Sequence, residues 1–209
     1  MSRLLPLFGL LAVVLLATTG CEKTDSSLPA GMTEQQVADY RETLLTTEEP
    51  ADAQAVIEVR DTLRGSGEEG AEPSKGQVTV IGVIGSMPNP YTAEAAPAFP
   101  WVDGFAAFSL VDPSTVAQFE GHQHAEGEEC MFCAGNARKL VDTVAQVRFR
   151  DPKGEPIAAR ADKLLGLREG DTVVVVGTGS IELGSLVVDA QKVYVKPKVA
   201  EAHMASIVP

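Results

Sequence analysis

Runs of β-branched residues closed by turn signals constrain this chain more than any other feature. From Gln77 onward five such segments follow one another: Gln77–Gly85 (QVTVIGVIG), Phe105–Val111 (FAAFSLV), Val144–Arg150 (VAQVRFR), Val173–Leu183 (VVVVGTGSIEL) and Leu186–Val195 (LVVDAQKVYV). Valine and isoleucine suit the pleated, half-buried surface of a sheet, so each segment predicts a strand. Asp112-Pro113 stops the second, Asp151-Pro152-Lys153-Gly154 stops the third, and Glu169-Gly170-Asp171 introduces the fourth. Between the third and fourth, Ile157–Leu167 predicts a short helix. Aromatic residues make up only 5% of the chain, so aliphatic side chains must build the core.

The part before Gln77 has a different texture. Thr33 followed by Gln36 matches a capping box, and Val37, Tyr40 and Leu44 then recur at helical spacing, which predicts an amphipathic helix over Met32–Thr46. A second apolar-periodic stretch, Ala51–Leu63, aligns Ala55, Val59 and Leu63 on one helical face, with its Val and Ile content leaving a strand open. Residues 65–76 (GSGEEGAEPSKG) read as a polar glycine-rich loop, and four prolines in Met87–Trp101 require irregular backbone there. Trp101 is expected to cap the hydrophobic interior.

Five strands with one helix before the fourth resemble the OB-fold, a five-stranded Greek-key barrel. Three features carry the resemblance: the glycine-bent first strand Val80–Gly85, a second strand ending in Asp112, and the valine-glycine fourth strand. The implied class is α+β: a mainly-β OB-like five-stranded barrel with a short N-terminal helical arm and a long loop insertion. The insertion, residues 113–143, departs from the family pattern. The other departure is the lack of a base-stacking platform, because Phe105 and Phe108 read as core and only Phe149 and Tyr194 remain on strands.

At the N-terminus Arg3 precedes an apolar run from Leu4 to Leu16 and then small residues, the order of a secretory signal and too short for a span of about 20 apolar residues. Ala17-Thr18-Thr19-Gly20-Cys21 resembles the lipobox of bacterial lipoproteins, with Thr18 where the family prefers leucine. That resemblance implies cleavage before Cys21 and a diacylglycerol on its sulfur, an anchor stable enough to hold the protein on a membrane. Glu22 follows the cysteine instead of the aspartate associated with inner-membrane retention, so either membrane remains open. The resulting plan is a signal over 1–20, a lipidated tether over 21–31, a helical arm and linker over 32–75, the barrel over 76–196 and a tail over 197–209.

One segment concentrates ligand-type residues. His122, His124, Cys130 and Cys133 fall within twelve residues and account for two of three histidines and two of three cysteines. A Cys-x-x-Cys turn can place two thiolates on one side of a zinc ion at about 2.3 Å, and histidines two apart share a face of extended chain. Glu120, Glu126, Glu128 and Glu129 add a cation-attracting field. Zinc in such a closed four-ligand site is structural, and copper(I) also suits thiolate and imidazole. Ala134 stands where haem attachment needs histidine, and the order of ligands is not that of a zinc finger. Two other readings of Cys130 and Cys133 stay open: a plain disulfide in an oxidising compartment, or a thiol–disulfide exchange pair. Gly177-Thr178-Gly179-Ser180 resembles part of a phosphate loop but lacks its lysine and sits inside a strand run, which predicts a turn or bulge.

Formal charge is -12, and loss of Arg3 with the signal makes it -13. Such a chain starts at a disadvantage towards nucleic acid and anionic lipid. The stretch Arg138–Arg168 is locally basic by about four charges, which predicts a solvated face or a modest anion site. These readings converge on a non-enzymatic envelope lipoprotein with a membrane attachment and an envelope protein as possible partner. The alternatives are an envelope thiol–disulfide oxidoreductase and a nucleotide- or oligonucleotide-binding barrel.

Overall fold

A computed structural model describes residues 28–65, 74–85, 99–119 and 141–198. The signal, Cys21, most of the proline-rich loop, the cluster His122, His124, Cys130 and Cys133, and the end of the tail lie outside the described residues.

The five valine-rich segments form strands β3 (Gly76–Ile84), β4 (Ala107–Val111), β5 (Val144–Phe149), β6 (Thr172–Glu182) and β7 (Ser185–Val195). Two short strands precede them, β1 (Leu45–Thr46) and β2 (Gln54–Ala55). β3 pairs antiparallel with β4 on one edge and with β6 on the other; β4 pairs antiparallel with β5, β5 parallel with β7, and β7 antiparallel with β6. This circuit returns to its start, so the sheet closes into a barrel and leaves no long free edge among these five strands. The parallel β5–β7 contact is the step that a hairpin cannot make, and the chain bridges it with the short helix α4 (Ala161–Leu165) and strand β6. The result is the OB-like α+β barrel that the strand order implied. β1 adds in parallel to β7 and β2 in parallel to β3.

Closure depends on two glycines. β3 must bend to serve two neighbours, and a Cβ at Gly82 would lie 2.5 Å from Leu110 and 2.8 Å from the Val111 carbonyl oxygen. Gly177 sits at a register shift in the β6–β7 ladder, where a Cβ would lie 2.3 Å from the Asp189 carbonyl oxygen. The Gly-Thr-Gly-Ser stretch is therefore a bulge within a strand that runs on to Glu182.

Alternation sorts the strands into faces. Along β5, Ala145, Val147 and Phe149 are buried while Gln146 points outward. Phe108 and Phe149 are the large rings of the interior, with centroids 6.1 Å apart. Trp101 lies edge-on to Phe108 at 6.0 Å and packs on the core as a cap.

Helix α1 (Glu34–Leu44) carries the expected capping box between Thr33 and Gln36. It docks on the short α4 (Ala161–Leu165), where Arg41 donates to the carbonyl oxygens of Leu164 and Lys163 at 2.8 and 3.2 Å. Carbonyls in the last turn of a helix are the ones its own N–H groups serve least, so a side-chain donor suits them. Helix α2 (Val56–Arg64) buries Val56, Val59 and Leu63 in the same core as the barrel strands. It meets β3, β5, β6 and β7, whereas α1 meets α4, β1 and β7.

Four expectations need correction, the first being the helix over Met32–Thr46, which stops at Leu44 because Leu45 and Thr46 pair with Val193 and Tyr194. Ile157–Leu167 is helical only over Ala161–Leu165, because Ile157 is held extended: its N–H reaches the Phe149 carbonyl and its own carbonyl accepts from Ala106. The second arm helix starts at Val56, since Gln54 and Ala55 pair with Val80 and Ile81. Phe105 is not core; it is 50% exposed, and β4 begins two residues later.

Candidate functional site

The insertion leaves the barrel at the end of β4 and returns at the start of β5, and its two ends are tied together there. The Asp112 N–H donates to the Thr143 carbonyl at 2.8 Å. Asp112 is 1% exposed, and its carboxylate serves two helices at once. One oxygen accepts from the Ser114 N–H and hydroxyl at 2.9 and 2.6 Å, at the first turn of α3 (Pro113–Phe119). The other accepts from the Ile57 N–H at 3.0 Å, in the first turn of α2. Both are helix N-terminal donors that lack intrahelical acceptors, and a carboxylate also suits the positive end of the helix dipole. Across the neck, the 3-10 turn Val141–Thr143 brings Asp142 into an ion pair with Arg60 of α2.

A second candidate surface lies on the outer face of β4 and β5, where OB-like barrels take their ligands. A shallow cavity of about 190 Å³ is lined there by Val102, Phe105, Ala107, Gln146, Arg148 and Pro156. Beside it runs an ionic network. Arg148 reaches Asp189 at 2.5 Å and both oxygens of Glu182 at 2.7 and 3.0 Å; Arg150 reaches Asp189 at 2.9 Å and the Gly154 carbonyl at 2.9 Å. The hydrogen bond from Arg148 holds Glu182 below the ordinary carboxylate range. Burial pushes Asp189 up, but the hydrogen bonds from Arg148 and Arg150 outweigh it and leave the carboxyl lowered. The Asp189 hydrogen bond, working against burial, raises Arg148 above its usual value.

These partners change the reading of the basic Arg138–Arg168 segment. Arg148 and Arg150 face carboxylates from β6 and β7, and Arg160 pairs with Asp162 at 2.8 Å and Asp103 at 3.5 Å. Three of the segment's eight cations, Arg148, Arg150 and Arg160, are thus engaged by carboxylates within the fold.

The predicted ligand residues His122, His124, Cys130 and Cys133, and the predicted lipidation residue Cys21, lie outside the described residues. No histidine or cysteine falls within the described residues, and among those residues no group of three or more His, Cys, Asp or Glu is arranged to hold a metal ion. What the sequence did not single out is the pair of neck residues. Asp112 had a partial signal, as the aspartate ending a strand before Pro113 and Ser114. Arg60 had none, because a lone arginine on an amphipathic helix reads as solvent-facing.

No family model, curated protein or solved structure matches the chain. The likeness to the OB-fold is therefore one of topology alone, which by itself assigns no activity.

Proposed function

We propose that the protein is a non-catalytic binding module of a bacterial cell envelope, held on a membrane by a lipid on Cys21. Its barrel is the scaffold, and the working element is the 113–143 insertion, in which His122, His124, Cys130 and Cys133 hold a zinc or copper ion. The observation that carries this reading is the construction of the neck. A buried carboxylate, a cross-strand backbone bond and a largely buried arginine are all committed where the insertion joins the barrel. A loop used only as a connection needs no such fixing, whereas a site on a loop gains from rigid roots. The concentration of thiol and imidazole donors inside that same insertion supports a metal as the occupant. The engaged arginines beside the β4–β5 face, together with the overall charge of -12, weigh against a nucleic-acid ligand.

The test is metal analysis by mass spectrometry on protein purified without chelator, with thiol titration alongside. About one zinc or copper per chain is expected, lost on His122→Ala, Cys130→Ala or Cys133→Ala. Metal-free protein with Cys130 and Cys133 disulfide-bonded overturns the metal reading. A redox potential near those of known dithiol exchangers then makes the pair an oxidoreductase site instead.

A further inference from the structure

The arm helix α2 joins the two roots of the insertion to one another. We propose that α2 and the neck form a single cooperative unit, so that releasing either root of the insertion loosens the arm, and a ligand that steadies the roots steadies the arm. The biological meaning of the unit rests on the ligand-binding reading of the insertion; the coupling itself rests on the described residues.

Two connections of different kinds reach the two roots from consecutive turns of α2. Ile57, in the first turn, donates its N–H to Asp112 on the outgoing root. Arg60, three residues on and on the same side of the helix, pairs with Asp142 on the returning root. Between the roots, the Asp112 N–H to Thr143 carbonyl bond closes the triangle.

Neither helical connection is an ordinary surface contact. Asp112 is 1% exposed, and the Arg60 side chain is 6% exposed while its partner Asp142 is 48% exposed. The Arg60 Nε is buried and makes no hydrogen bond among the described residues. A guanidinium held in that way depends on its counter-charge, since a buried ion left unpaired is strongly disfavoured. Asp61 is the second carboxylate near it, at 3.9 Å and 66% exposed, too far to replace Asp142. Separating the returning root from α2 therefore strands Arg60, and moving α2 strips Asp112 of the Ile57 donor. Each root is tied to the helix, and through it to the other root. By linkage, whatever factor the docked arm adds to a ligand's affinity, that ligand returns to the docking of the arm.

The experiment is amide hydrogen exchange read by mass spectrometry on the full chain in detergent, comparing wild type with Asp142→Asn and Arg60→Met. Asp142→Asn alters only the half-exposed side of the returning root, and Arg60→Met keeps the aliphatic packing of the arginine stem. Both variants are expected to speed exchange about tenfold in Val56–Arg64 and in Asp112–Thr115 together, with β6 unchanged as the reference for an intact barrel. Faster exchange confined to 141–143, or an equal rise in β6, overturns the coupling. A zinc titration of wild type separates the two readings. Zinc that binds and slows exchange in both segments supports the coupling, and zinc that binds without touching Val56–Arg64 overturns it. Zinc that does not bind removes zinc as the occupant and nothing else, and the two variants still decide the coupling.

Discussion

Replacing Asp112 with alanine removes an acceptor used by three donors: the Ile57 N–H at 3.0 Å, the Ser114 N–H at 2.9 Å and the Ser114 hydroxyl at 2.6 Å. Losing a helix cap costs about 1 kcal/mol, and two helices lose one here. The Ile57 N–H is also left in a part-buried place without a partner, which adds roughly 1–2 kcal/mol. The expected cost is about 3–4 kcal/mol, or a fall in Tm of roughly 6–16 °C for a domain of this size. Asp112→Asn keeps one acceptor oxygen but turns an amide donor towards the other N–H, so about half the loss or more should remain. The assay is urea unfolding at neutral pH followed by circular dichroism, with the m-value as the check that both variants still fold cooperatively. A loss below about 0.5 kcal/mol for Asp112→Ala refutes the reasoning, because substitutions away from structured features fall in that range.

Phe108→Ala should cost about 3–5 kcal/mol because the ring is fully buried in the barrel, whereas Phe105→Ser should stay near neutral; equal effects in thermal melts contradict the assignment of faces. Gly177→Ala should destabilise by about 1–3 kcal/mol, since the new methyl meets the backbone of Asp189 and Ala190; denaturant unfolding unchanged from wild type places the bulge elsewhere. Acid should weaken the protein through Glu182 and Asp189, whose carboxyls sit below their ordinary values. Their contribution is whole above the unfolded value of about 4 and is lost as pH falls through the lowered folded values. Glu182→Gln should flatten that decline in denaturation midpoints between about pH 5 and pH 2; a variant with the wild-type slope rules out the network as its source.

Several elements were legible because their cause is local. The Thr33–Gln36 capping box starts α1 where the pattern places it, and both partners lie within one turn. The β-branched runs became strands, and the Gly-Thr-Gly-Ser stretch became a bulge, as glycine within a valine run implies. Elements whose cause is remote were not legible. Ile157 has a good helical pattern around it, but its hydrogen bonds go to Phe149 and Ala106. Ala55 reads as helix until β3 offers a ladder to pair with. Phe105 has the composition of a core residue, but the turn at Val102–Ala107 leaves its ring on the surface.

The sequence by itself determined the five long strands, the helix that opens the arm, the site of the insertion and the gathering of thiols and imidazoles within it. Tertiary structure decided the partners. Arg148 meets Glu182 and Asp189 across 34 and 41 residues, Ile57 meets Asp112 across 55, and Arg41 reaches Leu164 across 123. Propensity and periodicity report interactions within a turn or a pleat, because only those recur at fixed spacing. Barrel closure sets the distant pairings, and it also decides which charges are neutralised and which loop is held at its roots.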